Sequence, residues 1–183
     1  MASPYEGRLV RLRAREDQDE PLLYRWFNDW EVTQYLSVRY PMSHRTEREY
    51  IEAHSTPSYN DADLAVETLD GKLIGGTGLE HASPENRSAT LGIAIGDKTY
   101  WNSGYGTDAM RTICRFGFQM MNLHRIDLIV YAENVRAIHV FENVGFKVEG
   151  RLRDGVFKFG HYQDVLVMGL LEGELRPGAS GEL

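Results

Sequence analysis

Cysteine is nearly absent from this chain. Cys114 is the only one in 183 residues, so no internal disulfide can form, and the lack of a disulfide framework fits a reducing compartment. Long apolar runs are missing too. None approaches a membrane span, and the opening Met1-Ala2-Ser3-Pro4-Tyr5-Glu6-Gly7 has no apolar stretch of signal-peptide length. The expectation is a soluble cytoplasmic protein with no membrane partner. Positive charge is scarce: 20 Lys and Arg against 27 Asp and Glu give a net charge of −7. That balance argues against a general nucleic-acid or membrane-surface binder and suits a cationic partner such as an amine. No Cys/His spacing suggests a metal site. There is no internal repeat and no long linker, and the length suits one domain.

The pattern that is present mixes strand and helix signals. Arg8 to Arg13 alternates apolar and basic residues as a short strand. Asp19-Glu20-Pro21 opens a helix, with acids at its positive end and proline in its first turn. Leu22, Leu23, Trp26 and Phe27 follow at helical spacing. Thr46-Glu47-Arg48-Glu49 fits a capping box in a second helix starting near Ser43. Asp70-Gly71 between two alternating runs predicts a hairpin from Leu64–Thr68 into Lys72–Glu80. A strand Ala89–Ile95 comes next. A helix Thr107–Met121 is expected to bury Met110, Ile113, Gly117 and Met120 on one face, with Cys114 as core packing. Ile126–Tyr131 reads as a buried strand. Asn134 caps a helix ended by Gly145. Two strands, Phe146 to Phe157 and Tyr162 to Leu171, turn at Phe159-Gly160-His161. The order implies one mixed α/β domain over residues 1–175, a strongly twisted sheet of about seven strands flanked by four helices. Residues 176–183 read as a disordered tail.

Tyr100-Trp101-Asn102-Ser103-Gly104-Tyr105-Gly106-Thr107 carries the most chemical information. It joins a strand to a helix through a short glycine-bearing loop. Such a loop offers backbone N–H groups and a helix's positive end to a phosphate or pyrophosphate. A Cβ at Gly104 or Gly106 could block that approach. No lysine follows Gly106, so this is not a P-loop.

From Arg8 to about Leu171 the chain resembles the GNAT superfamily of CoA-dependent N-acyltransferases, in particular the ribosomal-protein N-terminal acetyltransferase branch. The resemblance rests on several segments in order. They are Arg87-Ser88-Ala89-Thr90-Leu91-Gly92-Ile93, the glycine loop, Asn122-Leu123-His124-Arg125, Asn134-Val135-Arg136-Ala137-Ile138 and Phe141-Glu142-Asn143-Val144-Gly145-Phe146. It implies acetyl-CoA as co-substrate and a primary amine as acceptor, either a protein N-terminus or a small molecule. Trp101 stands where the family's loop has Gln or Arg, while Gly104 and Gly106 match. The resemblance assigns the pyrophosphate to the N–H groups of Asn102, Ser103, Gly104, Tyr105, Gly106 and Thr107. It assigns the pantetheine arm to Ile93, Ala94 and Ile95, on a strand that splays from its neighbour. Asn134 is expected to cap its helix and touch the arm or a bound water. Phe141 occupies a cofactor-side position where many members carry a tyrosine that protonates the leaving thiolate. Tyr131 and Tyr105 are the alternatives for that role.

Glu80, near the end of its strand, is the candidate base that takes the amine's proton, with His81 beside it. Trp26, Phe27, Trp30, Tyr35 and Tyr40 are candidates to line an acceptor cleft, and Asp29 and Glu31 to attract a cation. Dimers are frequent in the family, so a homodimer is one assembly the resemblance allows. A transferase for longer acyl-CoA, given the small Gly78 and Ala94, and a CoA-binding module with little catalysis are the other readings.

Overall fold

The computed structural model describes residues 3–54 and 58–178. Seven strands form one sheet: β1 (Val10–Ala14), β2 (Ala62–Thr68), β3 (Leu73–Ser83), β4 (Ser88–Ile95), β5 (Arg125–Tyr131), β6 (Lys147–Lys158) and β7 (His161–Leu171). Their order is β1-β2-β3-β4-β5-β7-β6. All neighbours are antiparallel except β4 and β5. Five α-helices accompany them: α1 (Glu20–Phe27), α2 (Trp30–Thr33), α3 (His44–His54), α4 (Tyr105–Met120) and α5 (Val135–Val144). The mixed α/β expectation holds. The helix beyond the expected four is α2, a single turn capped by the Asp29 side chain, which accepts from the Glu31 N–H. One turn is too short to show a periodicity.

Alternation along the strands sorts side chains into two cores. Val10, Leu12, Val66, Ile74, Leu79 and Leu91 pack with Met110, Ile113 and Cys114 of α4 and with Phe141 and Val144 of α5. On the opposite face, Ala65 and Leu73 pack with Leu23 and Trp26 of α1, Val32 of α2 and Ile51 of α3. Burial pushes the Cys114 thiol well above its usual range, consistent with a packing role.

Several local expectations are corrected. Met120 is 55 % exposed, and Met121, just past the end of α4, is buried in its place. Met120 is the last residue of α4, whereas Met121, four residues after Gly117 and seven after Cys114, continues the buried stripe. The α3 cap is Ser43, whose Oγ accepts the Thr46 N–H at 3.0 Å, so Thr46 lies inside the first turn. The last hairpin turns on Phe159 and Gly160 alone, at φ 54° and 83°. Two consecutive positive φ values are what a two-residue turn between right-twisted strands requires, and His161 already belongs to β7. The Asp70-Gly71 turn is as expected, with Gly71 at φ 88°. Of the terminal segment, Arg176 donates its N–H to Val144 O. Residues 179–183 lie outside the described residues. Among the described residues no helix is long and apolar enough to cross a membrane.

Candidate active site

The site begins where two parallel strands part. β4 pairs with β3 along its length, but with β5 only through Ser88–Arg125, Ala89–Ile126 and Thr90–Asp127. Thr90 Oγ1 donates to Asp127 Oδ1 at 2.9 Å across the last rung. Beyond it β5 continues along β7 as far as Tyr131, while Leu91 to Ile95 have no partner on the β5 side. A slot opens there, at the carboxyl ends of adjacent parallel strands, the usual place for a ligand in an α/β sheet. Of the three residues expected to meet an extended arm, Ile93 and Ala94 have no strand partner on that side, and the Ile95 carbonyl is taken by a side chain of the following loop.

The glycine loop closes the end of the slot. Gly104 has φ 86° and immediately precedes α4. Asn102 also has a positive φ, 57°. The N–H groups of Asn102, Ser103, Gly104, Tyr105, Gly106 and Thr107 find no acceptor among the described residues. Six orphan donors at a helix N-terminus fit a diphosphate. Trp101, where the family carries Gln or Arg, donates Nε1–H to Ile95 O at 2.7 Å and ties the loop to the end of β4. The Arg136 guanidinium lies over the Trp101 ring, 4.0 Å from its centroid. That brings a cation from α5 to the loop, a feature the sequence reading missed. The residues are far apart in the chain, and only the Asn-Val-Arg run hinted at it. Asn134 Oδ1 accepts the Ala137 N–H at 3.2 Å and caps α5, a contact worth about 1 kcal/mol.

Glu80 lies opposite Thr90 in the β3–β4 register, two pairs from Gly78–Gly92 and therefore on the same face of the sheet. A Cβ built on Gly92 would lie 3.9 Å from Glu80 Oε1. The carboxylate therefore stands over the separating part of β4, on the face that carries α1 to α3. It is exposed, and no protein donor holds it among the described residues. His81 is exposed at φ 53°, at the register shift within β3 that follows Glu80.

On the same face, a buried polar cluster went unforeseen. Arg15 Nη2 donates to Asp63 Oδ1 at 2.7 Å. Asp63 Oδ2, Arg15 Nε and Nη1, and both carboxylate oxygens of Glu47 have no partner among the described residues. Burial raises the Glu47 and Asp63 pKa values, with Arg15 opposing. Tyr50, half-buried beside them, is pushed up to about 12 by its partial burial.

Other candidates fall into place individually. Phe141 is buried and packs against Phe146, with ring centroids 6.1 Å apart; it has no proton to donate. Tyr131 ends β5, stacks edge-on with Tyr35 and donates to Leu36 O at 3.4 Å. Burial raises its pKa, so the phenol keeps its proton. Tyr105 stacks edge-on against Tyr100. Trp26 is core, whereas Trp30 and Tyr40 are exposed. Asp29 and Glu31 both ion-pair with Lys98, at 2.8 and 2.7 Å, so neither presents free charge to a substrate.

Comparison with known proteins agrees with this geometry. Residues 9–147 match the acetyltransferase (GNAT) domain family. The chain belongs to the GNAT acetyltransferase family. As a GNAT protein it is an N-acetyltransferase. An uncharacterized N-acetyltransferase, p20 of Bacillus licheniformis, is 30% identical over 178 residues, 95% of this chain and 98% of that one. The Vibrio cholerae spermidine N-acetyltransferase, solved in complex with CoA and spermine, superposes with a TM-score of 0.83 at 29% identity, covering 90% of this chain and 96% of that one. The putative ribosomal N-acetyltransferase YdaF of Bacillus subtilis is 31% identical over 136 residues, 73% of this chain and 74% of that one. The ribosomal branch is thus one relative among several.

Proposed function

We propose that this GNAT enzyme acetylates a small cationic amine of the polyamine class, with acetyl-CoA held by the loop and slot and with Glu80 as base. The observation that carries the reading is the free Glu80 carboxylate over Gly92 of the separating strand. An amine of lysine-like pKa is almost wholly charged at pH 7 and cannot attack a thioester until it loses a proton. A carboxylate at that place attracts the ammonium and then accepts its proton, directly or through one water. The oxygen of the thioester gains charge as the amine adds. An N–H on the unpaired edge of β4 near Ile93 is the donor we assign to it. Phe141 leaves the thiolate without the family's usual acid, and Tyr131, protonated at the end of β5, is the residue we assign instead. The Vibrio cholerae relative, a spermidine N-acetyltransferase solved with spermine, supports a polyamine acceptor.

The test is CoA release from acetyl-CoA with a panel of amines: spermidine, an amino sugar and a peptide with a ribosomal-protein N-terminus. Spermidine is expected to give the highest kcat/KM. Preference for the peptide would instead select the activity suggested by the YdaF likeness. Glu80→Gln is expected to lower kcat/KM by about 10²-fold or more, with a changed acidic limb and unchanged affinity for acetyl-CoA. An unaltered rate and pH profile would remove Glu80 from the reaction.

A further inference from the structure

Away from the slot, along the flank of α4, a cavity of about 280 Å³ is lined by Arg8, Arg111, Arg115 and Arg176, with Asp108 and Glu172 as its carboxylates. Gly178 and its neighbours in the C-terminal segment form part of its wall. Four guanidiniums around one cavity stand out in a chain of net charge −7. None of the four has an ion-pair partner among the described residues. The two carboxylates are engaged elsewhere. Asp108 Oδ2 accepts the N–H groups of Leu9 and Val10, at 2.8 and 3.2 Å. Glu172 binds Arg87 and His124, at 3.4 and 3.2 Å. Three of the arginines each donate to one main-chain carbonyl: Arg111 to Asn143, Arg115 to Glu6 and Arg176 to Glu142. The Nε atoms of Arg111 and Arg115 are buried with no partner among the described residues.

We propose that this cavity is a second anion site, separate from the glycine loop, that takes a phosphate-class polyanion. Guanidinium forks match phosphate oxygens in pairs, and three of these guanidiniums keep Nη–H donors beyond their one main-chain bond. A volume of about 280 Å³ is ample for a diphosphate, and Thr112 and Gln119 add neutral polar groups. Phe118 and Leu175 offer an apolar wall, against which the base of a nucleotide could lie. The site is distinct from the donor site because the arginines that α4 gives it, Arg111 and Arg115, lie about one and two helical turns beyond Thr107, the last of the loop's N–H groups. An anion there would bridge α4 to Arg8 at one end of the chain and Arg176 at the other, and would stabilise the fold by mass action.

The experiment is calorimetric titration of the full chain with inorganic pyrophosphate while acetyl-CoA saturates the loop. Pyrophosphate is expected to bind one-to-one. Affinity should fall at least tenfold in the Arg111→Gln/Arg115→Gln double variant and stay unchanged in Arg153→Gln, on the exposed strand β6. Arg176→Gln, on the C-terminal segment, gives a second and milder variant should the double one fail to fold. Tighter binding of ADP than of pyrophosphate would identify a nucleotide against Phe118, and equal binding a free phosphate. Absence of binding to the folded, acetyl-CoA-saturated protein would overturn the proposal. So would loss of CoA affinity in the double variant with dephospho-CoA unaffected, which would assign these arginines to the 3′-phosphate of the donor. Should acetyl-CoA itself not bind, the donor-loop reading fails. Titration of the unsaturated chain and the double variant then still decides the cavity.

Discussion

Gly104 and Gly106 serve the loop for different physical reasons, and the difference yields a clean test. At Gly104 the backbone sits at φ 86°, so any side chain is strained there whatever the space. Gly106 has no such constraint. Its φ is not positive, and an added Cβ would meet Ile95 Cγ1 at 3.7 Å, an ordinary contact. Nothing inside the protein demands glycine in this first turn of α4, where helix propensity favours almost any other residue by several tenths of a kcal/mol or more. On the proposed donor site the demand comes from outside, from a diphosphate lying over the orphan N–H groups. Gly106→Val is therefore expected to keep the wild-type Tm within a few degrees and to weaken acetyl-CoA binding by more than tenfold, as measured by calorimetry. Wild-type affinity in the variant would mean that the diphosphate lies elsewhere. The sequence alone gave both glycines one role, because the φ that separates them is a property of the folded loop.

Among the elements, those with a long enough repeat were legible beforehand. β2 to β5, α4 and α5 each show their alternation or helical period, and Gly71, Gly145 and Gly160 mark their ends. What stayed hidden depends on distant partners. The slot is an absence of pairing between β4 and β5, and no residue in either strand announces it. The polar cluster beneath α3 joins Arg15 to Asp63, 48 residues away, and leaves Glu47 buried without a bond. How α3 is held follows from that last residue. Because burial raises the Glu47 pKa, the folded chain keeps this proton over a range of pH where the unfolded chain has lost it. Stability then falls as pH rises through that range. The penalty is absent below the ordinary carboxylate value of about 4 and complete above the raised one. Glu47→Gln, which mimics the protonated form, is expected to melt above wild type at pH 7.5 and to converge with it near pH 4. Each kcal/mol gained would appear as roughly 2–4 °C. A variant that melts below wild type at pH 7.5 would show that attraction to Arg15 outweighs desolvation.

For the molecule as a whole, the two kinds of charge occupy different places. Acidic groups dominate the count, −7 net, and the free Glu80 carboxylate stands on the sheet face that carries α1 to α3. Unpaired arginines gather instead on the α4 flank around the 280 Å³ cavity. A polycationic acceptor arriving from solution meets an attractive field, and such steering raises encounter rates by about 10-fold to 10³-fold at low salt. Screening removes it. The Debye length drops from about 30 Å at 0.01 M to about 8 Å at 0.15 M ionic strength. Over that range kcat/KM for spermidine, which carries several charges, is expected to fall several times more steeply than kcat/KM for a singly charged alkylamine of similar length. The experiment holds acetyl-CoA saturating throughout, so that the salt sensitivity of the anionic donor does not enter the ratio. Parallel slopes for the two amines would show that the acidic surface plays no part in acceptor capture. Polyamine preference would then have to arise within the slot, from contacts made after the encounter.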